Sequence, residues 1–412
     1  MKYVLIIGDG MADDPILELK NKTPLQYAKT PTMDKLASFG VFGNVLTVPE
    51  GLTAGSDTAI LSIFGYDPKD GYGGRAALEA AAMGIKMNKD DIAYRCNMIT
   101  IEDGKIISHS AGSIEGNISD TLITELFENN EIKEIADKAS IKIYPGNSFR
   151  HIAIQSFDNS NNQTKKESFN LTKLIPPHDH LFESYDQLLP KETTINAKTL
   201  KTLMLKAHEI LDVHPINKKR KEDGKLPANG IWFWAEGETK ELPKFYAKYN
   251  KTGAVISAVP LCQGIGVLIG LEKIIVKGAT GELNTNYEGK VEAVIEALKT
   301  HDFVTVHVEA PDECTHNGDL KGKLQAIEWI DSRIVAPIYE KLKNSNDDFK
   351  ILLMTDHRTL ISTRSHANGA VPYAIYDSRN ENKTNLCFNE FDAKKGTYIK
   401  DGTKLLDVLF NN

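Results

Sequence analysis

The sequence contains few cysteines, and they are not arranged in pairs. The four that occur in 412 residues are Cys96, Cys262, Cys314 and Cys387. A disulfide framework usually shows paired spacing, so this scatter fits a reducing compartment better. We therefore expect a cytoplasmic protein.

Long apolar runs and dense basic blocks are also missing. The apolar run from Tyr3 to Ile7 is too short for a signal-peptide core or a membrane span. The net charge is −7, and the basic stretch "NKKRK" at residues 217–221 is short enough to be a solvated loop. We expect neither a membrane nor nucleic acid as a partner of this protein.

Short β-branched runs alternate with longer helical patterns along most of the chain. Five runs predict buried parallel strands, and residues 289–300 and 323–344 predict helices between them. The five runs are "KYVLIIG", "AVISAVPL", "KIIVKG", "DFVTVHVEA" and "FKILLMT". This alternation indicates an α/β fold with a mixed or mostly parallel sheet between helices.

The middle of the chain has a different character. From about residue 100 to 225 the apolar runs weaken, and "DNSNNQTKKES" and "PPHDH" predict surface loops. We interpret residues 96–227 as a smaller α+β domain that is inserted into the first. Residues 1–95 and 228–412 would then form one discontinuous domain.

Acids and histidines collect after three of the predicted strands. These residues are Asp9, Asp312, His316, Asp356, His357 and His366. The carboxyl ends of parallel strands meet at one edge of a sheet, so we expect these side chains to converge. A single aspartate at a strand end is more often a helix cap, but capping does not explain the histidines. A mixed set of carboxylates and imidazoles suits Mn²⁺ or Zn²⁺, whereas oxygen-only sets suit Mg²⁺ or Ca²⁺.

The stretch "TAGSDTAILSIFG" leaves two roles open for Ser56. Apolar residues follow with helical spacing, so Ser56 or Asp57 could cap the first turn of a helix. A helix N-terminus also favours negative charge, and a phosphate ester on Ser56 would be stabilised there. The local sequence does not distinguish a cap from a nucleophile.

Four motifs together resemble the cofactor-independent phosphoglycerate mutases of the archaeal type, in the alkaline phosphatase superfamily. The motifs are "GDGMAD", "TAGSDTAILSIFGYDP", "HVEAPDECTHNGD" and "TDH" followed by "SHANGAVP". The similarity also includes "PANGIWFWAEG" and "GATGELNTNYEGK", so it extends over nearly the whole chain. The resemblance implies a phosphatase-like domain with two divalent metals, usually Mn²⁺, and an inserted substrate-binding domain.

The resemblance also implies roles for individual residues. One metal would be held by Asp312, His316 and His366, and the other by Asp9, Ser56, Asp356 and His357. Ser56 would be the nucleophile, with helix capping as a secondary role. The implied reaction interconverts 2- and 3-phosphoglycerate through a phosphoserine.

Candidate substrate residues follow from the charges of a phosphorylated carboxylic acid. Phosphate and carboxylate groups need cationic donors, and arginine offers a bidentate fork. The candidates are Arg75 in "GYGGRAALEA", Arg150 in "YPGNSFRH" and Lys290 after "NTNYEG". His109 in "SHSAGS" is the expected acid or base nearest the substrate hydroxyls.

The sequence departs from the family pattern at positions beside the expected site. Ile60 replaces an asparagine, and Arg358 and Leu360 replace prolines after "TDH". These changes leave all metal ligands in place but alter the polarity near the substrate. Three alternatives stay open: a homoserine kinase of the same family, a metal-dependent phosphate ester hydrolase, and a non-catalytic metal protein.

Overall fold

The computed structural model describes residues 1–71, 73–146, 148–157, 174–345, 347–381 and 383–411. The chain divides into two compact units, one formed by residues 1–72 and 241–412 and the other by residues 73–240. The insert expected at 96–227 lies within the second unit, which begins earlier because the helix Arg75–Ala82 packs on the sheet of that unit. The expected loop "DNSNNQTKKES" lies outside the described residues.

The strands are numbered here in chain order. They are β1 Lys2–Gly8, β2 Val41–Val45, β3 Ile92–Glu102, β4 Lys105–Ser108, β5 Ile141–Tyr144, β6 Arg150–Gln155, β7 Gly230–Glu238, β8 Gly253–Ile256, β9 Glu272–Ile274, β10 Phe303–Val308, β11 Phe349–Met354, β12 Arg358–Leu360, β13 Ser365–Ala367, β14 Val371–Asp377 and β15 Thr397–Ile399.

The helices of the first unit are Pro24–Tyr27, Pro31–Phe39, Ser56–Ile63, Pro68–Gly71, Phe245–Tyr249, Pro260–Leu268, Tyr287–Ala297, Ala310–His316, Leu320–Ile330, Ala336–Lys343, Glu390–Ala393 and Leu405–Phe410. A π-helical turn, Asp331–Val335, joins two of them, and 3₁₀ turns occur at Leu17–Leu19 and Gly402–Lys404. The helices of the second unit are Arg75–Ala82, Gly116–Glu128, Asn130–Lys138, Tyr185–Leu188, Ile195–Asp212 and Pro215–Glu222, with a 3₁₀ turn at Pro177–His180. Among the residues that the structure describes, none of the helices combines the length and the apolar character that a membrane span requires.

The first unit contains a mixed sheet in the order β15, β2, β14, β11, β1, β10, β8, β9. The five strands from β11 to β9 run parallel, which confirms the five strands predicted from their apolar runs. Strand β14 runs antiparallel to both β11 and β2, so β2 points the same way as the parallel block. β1, β10 and β11 are buried along almost their whole length, as expected for strands covered on both faces. The α/β prediction is therefore confirmed.

The candidate site residues follow the carboxyl ends of the parallel strands. Asp9 follows β1 directly, and Asp356 lies two residues beyond β11. The helix Ala310–His316 begins two residues after β10 and carries Asp312 and His316 on one face, as their spacing predicts. The helix Ser56–Ile63 lies beyond the carboxyl end of β2.

The second unit has an antiparallel sheet and its own core. β3 pairs with β6 and β7, and β5 extends the sheet beyond β6. The helix Ile195–Asp212 contributes Leu200, Leu203 and Leu211 to the apolar cluster of this unit. The small residues of the helix Arg75–Ala82 pack in a separate cluster with Ile152 and Ile154 of β6. The unit is an α+β structure, and the predicted loop "PPHDH" contains a 3₁₀ turn.

Candidate active site

The hydroxyl of Ser56 faces acidic and imidazole groups. Ser56 is the first residue of its helix, after Gly55, and its side chain makes no capping hydrogen bond within the described structure. Its Oγ lies 3.1 Å from His357 Nε2 and 3.4 Å from Asp9 Oδ2. Capping as a secondary role for Ser56 is therefore wrong, because Gly55 is the N-cap residue and the Ser56 hydroxyl contacts Asp9 and His357 instead.

Two buried aspartates lie close to Ser56. Asp9 and Asp356 are almost completely buried at the ends of adjacent strands. Asp9 Oδ1 and Asp356 Oδ2 lie 3.5 and 3.4 Å from His357 Nε2. The same Asp9 carboxylate contacts His307, whose Nε2 is 3.0 Å from Oδ2.

His307 is a site residue that the sequence analysis missed. It lies in the buried strand β10, and its Nδ1 is 3.2 Å from Ser257 Oγ. Its ligand atom forms a compact group with those of Asp9 and Asp356, within 4.8 Å of one another. The available signal was a histidine inside the apolar run "VTVHV", where burial of an imidazole needs a partner.

A second group combines the residues of two other segments. His316 Nε2 lies 3.1 Å from His366 Nε2 and 3.1 Å from Asp312 Oδ2. His366 belongs to the short hairpin of β12 and β13, and its Nε2 is 3.5 Å from Asp312 Oδ1. Three nitrogen and oxygen atoms that face one another at this range are typical of ligands to one cation.

The electrostatics of the site place carboxylates where they repel one another. Burial raises the pKa of Asp9 well above its usual range, and the nearby Asp356 and Asp312 charges raise it further. Burial also acts to raise the pKa of Asp312, but hydrogen bonds with His316 and His366 outweigh it and hold that pKa well below its usual range. The hydrogen bond to Asp312 raises the pKa of His316 to about 9. The repulsion around Asp9 is the kind that a bound cation relieves.

Two buried carboxylate oxygens without a hydrogen-bond partner indicate that these residues could hold a metal. Asp9 Oδ1 and Asp356 Oδ2 are buried without a hydrogen-bond partner among the described residues. Such atoms are rare in native proteins, and an ion is one explanation. The donor set of carboxylates and imidazoles also suits a divalent transition metal. The buried clusters are consistent with metal binding.

Two departures from the family pattern lie in the same unit. Ile60 is fully buried in the helix that begins at Ser56. Arg358 donates hydrogen bonds to Asp14 Oδ1 and, at 3.3 Å, to the carbonyl oxygen of Asn368. The positive charge of Arg358 is therefore engaged by an acid of its own unit.

Lys290 is also in the first unit, but it is buried, whereas a residue that binds substrate should be accessible. Its side chain is completely buried, and Nζ donates to the carbonyl oxygen of His307 at 2.9 Å. Burial lowers the pKa of Lys290 to about 8. Its role in substrate binding stays a prediction that requires the ammonium group to become exposed.

The remaining predicted substrate residues, Arg75, His109 and Arg150, lie in the second unit. Arg75 begins the helix Arg75–Ala82, and Arg150 begins β6; both are exposed. The guanidinium of Arg150 lies 4.6 Å from the centre of the Phe149 ring, and the His109 ring is 5.7 Å from that same ring. Burial lowers the pKa of His109, and the charges of His178 and Arg150 lower it further.

His178 extends this cluster and was not among the predicted residues. Its ring lies 5.9 Å from the His109 ring and 5.1 Å from Trp234. The side chain of Asn97 links His109 to Trp234. It donates to the carbonyl oxygen of His109 at 2.9 Å and accepts from Trp234 Nε1 at 3.0 Å. The motifs "PPHDH" and "GIWFWAEG" contained these residues, but nothing in their spacing indicated that they meet.

The chain is similar to known proteins over nearly its full length. A family model described as 2,3-bisphosphoglycerate-independent phosphoglycerate mutase matches residues 37–217. A protein of that name from Methanosarcina barkeri is 46% identical over 400 residues, which cover 96% of this chain and 96% of that protein.

Solved structures agree with this relationship. The structure of a protein from Pyrococcus horikoshii is 30% identical, with a TM-score of 0.80 over 99% of this chain and 96% of that chain. A cofactor-independent phosphoglycerate mutase from Thermoplasma acidophilum is 26% identical, with a TM-score of 0.62 over 99% of both chains. These similarities confirm the resemblance seen in the sequence: the chain belongs to the 2,3-bisphosphoglycerate-independent phosphoglycerate mutase family, of the archaeal type.

Proposed function

We propose that this protein is an isomerase that interconverts 2- and 3-phosphoglycerate through a phosphoserine on Ser56. The observation that carries the proposal is the position of the Ser56 hydroxyl. It lies at a helix N-terminus, 3.1 Å from His357 Nε2, and beside carboxylate oxygens that have no partner among the described residues. Family membership supplies the substrate class.

In the proposed reaction, Ser56 takes the phosphoryl group and later returns it. Its hydroxyl loses a proton to solvent, Oγ bonds to phosphorus, and the bond from phosphorus to the substrate oxygen breaks. The released oxygen gains a proton, and glycerate turns so that its neighbouring hydroxyl faces the phosphoserine. That hydroxyl loses its proton and takes the phosphoryl group, the bond from phosphorus to Oγ breaks, and Oγ regains a proton from solvent, so Ser56 is regenerated. The partial positive charge of the helix N-terminus stabilises the ester between the two transfers.

The proposed metal sites use the ligands that the family resemblance implies, and the first of them coincides with one compact group of side chains. Asp312, His316 and His366 would hold one divalent ion, and Asp9, Ser56, Asp356 and His357 the other, with His307 in contact with Asp9. We propose Mn²⁺ as the metal, with Zn²⁺ and Mg²⁺ as alternatives, because the donors mix nitrogen with oxygen. Such ions would lower the pKa of the serine hydroxyl and neutralise phosphoryl oxygens.

The second unit is proposed to recognise the substrate. Arg75 and Arg150 provide exposed guanidinium groups for the carboxylate or the phosphate. His109 is proposed to take the proton from the attacking hydroxyl, whereas the released oxygen takes its proton from solvent. Its lowered pKa favours the neutral imidazole near pH 7, which is the form that accepts a proton.

A direct assay tests this proposal against the alternatives. Purified protein is incubated with Mn²⁺ and 3-phosphoglycerate, or with Mn²⁺, ATP and homoserine, and the products are followed by phosphorus NMR. We expect 2-phosphoglycerate in the first reaction and no phosphohomoserine in the second. Phosphohomoserine as the only product would identify a kinase, and release of inorganic phosphate alone would identify a hydrolase.

A further inference from the structure

The hydroxyl of Thr359 lies between residues of the two proposed metal sites. Thr359 is fully buried in β12, and its Oγ1 is 2.6 Å from Asp312 Oδ1 and 3.1 Å from His357 Nδ1. In the hairpin register Thr359 also pairs directly with His366 of β13. One short side chain therefore contacts a carboxylate of one site and an imidazole of the other.

The directions of these hydrogen bonds are determined by the chemistry of the three groups. A hydroxyl has one proton to donate, and an ionised carboxylate can only accept. Thr359 must therefore donate to Asp312, and its oxygen is left to accept a proton from His357 Nδ1. A neutral imidazole with its proton on Nδ1 has a lone pair on Nε2, the atom that lies 3.1 Å from Ser56 Oγ.

We propose that Thr359 is a positioning residue that fixes His357 as the Nδ1-protonated tautomer and orients Asp312 at the same time. This inference rests on the proposed function, in which Nε2 of His357 is a metal ligand beside Ser56. Groups that orient ligands from behind in this way affect the affinity of a site as well as its geometry.

The backbone around Thr359 is held on both sides. Its amide donates to the carbonyl oxygen of Ala12 at 3.0 Å, and its own carbonyl oxygen accepts from Lys323 Nζ at 2.7 Å. Lys323 is itself buried in an ion pair of 2.8 Å with Asp13. These contacts fix the position of the Thr359 backbone between Ala12 and Lys323.

Gly10 packs against the same hydroxyl from the end of β1. Its φ is +63°, and a Cβ atom at this position would lie 2.6 Å from Thr359 Oγ1 and 2.7 Å from Asp312 Oδ1. Contacts this short are not tolerated, so the arrangement requires glycine here.

Three variants separate the hydroxyl from its packing. Thr359→Val removes the hydroxyl and keeps the shape, whereas Thr359→Ser keeps the hydroxyl. Thr305→Val is the matched control, because Thr305 is fully buried in β10 and its Oγ1 has no partner among the residues that the structure covers. Mn²⁺ affinity is measured by competition with a chelator, and the His357 tautomer by nitrogen NMR of histidine-labelled, metal-free protein. The spectrum of His357→Gln assigns the signal.

We expect Thr359→Val to bind Mn²⁺ about 10- to 100-fold more weakly and to lose the single Nδ1-protonated form. Thr359→Ser and Thr305→Val should stay near the wild type in both measurements. The inference is overturned if Thr359→Val matches Thr305→Val, or if Thr359→Ser is as weak as Thr359→Val. A wild-type His357 protonated on Nε2 also overturns it, even if a variant does not fold. Mn²⁺ binding that is unaffected by His357→Ala contradicts the proposed function instead.

Discussion

Replacement of Ser56 by alanine separates the chemical role of this residue from a structural one. A helix cap contributes about 1 kcal/mol, but Ser56 makes no capping hydrogen bond in the described structure. Its hydroxyl contacts the buried Asp9 carboxylate and His357 imidazole, and Asp9 keeps its contact with His307 when the hydroxyl is removed. We therefore expect the free energy of unfolding of Ser56→Ala to fall by about 1 kcal/mol or less.

The expected loss of activity is much larger than the loss of stability. Without the hydroxyl, no transferable ester can form, and removal of a covalent nucleophile lowers the rate by several orders of magnitude. A decrease on the order of 10⁴-fold corresponds to about 5 kcal/mol of transition-state stabilisation. Ser56→Asn should be equally inactive, because an amide offers no hydroxyl.

The control is Ser62→Ala in the same helix. Ser62 is fully buried, and its Oγ has no hydrogen-bond partner in the described part of the chain, so its removal should leave both stability and activity almost unchanged. Turnover of 3-phosphoglycerate is followed by phosphorus NMR, unfolding by thermal denaturation, and trapped phosphate by mass spectrometry. The reasoning is refuted if Ser56→Ala keeps more than a tenth of wild-type turnover, or if the trapped phosphate is on another residue.

Three further predictions concern metal content, pH and substrate binding. Elemental analysis of Mn²⁺-loaded protein should give about two ions per chain, and His366→Ala should lose one; unchanged content in both His366→Ala and Asp9→Ala would contradict the ligand assignment. His151 is buried against Ser119, and burial lowers its pKa from 6.5 to about 4, so its contribution to stability is complete above pH 6.5 and decreases by roughly 3 kcal/mol as the pH falls to 4. His151→Gln should flatten the unfolding free energy over this range relative to the wild type, and an unchanged slope would rule the explanation out. Arg150→Met should raise KM for 3-phosphoglycerate at least tenfold and leave Mn²⁺ affinity unchanged, whereas an unaltered KM would remove Arg150 from the substrate site.

The sequence by itself predicted the α/β sheet and the groups at its edge. Short continuous apolar runs such as "VLIIG" and "ILLMT" are typical of strands covered on both faces, so these strands were predictable from local composition. The carboxyl ends of parallel strands lie at one edge whatever the strand order, and this rule was enough to place Asp9, Asp312 and Asp356 together. The i, i+4 spacing of Asp312 and His316 needed only the geometry of one helical turn.

Only the tertiary structure shows the contacts between residues that lie far apart in the sequence. The histidine in "VTVHV" indicates that a buried imidazole needs a partner, but only the pairing of β1 with β10 shows that Asp9 lies 3.0 Å from His307. Lys290 donates to a carbonyl oxygen in another element, and Thr359 contacts Asp312 of the helix Ala310–His316. Such partners are separated by many residues, and their distances depend on how whole elements pack. Local periodicity determines which face of an element is buried, whereas packing determines which atoms meet there.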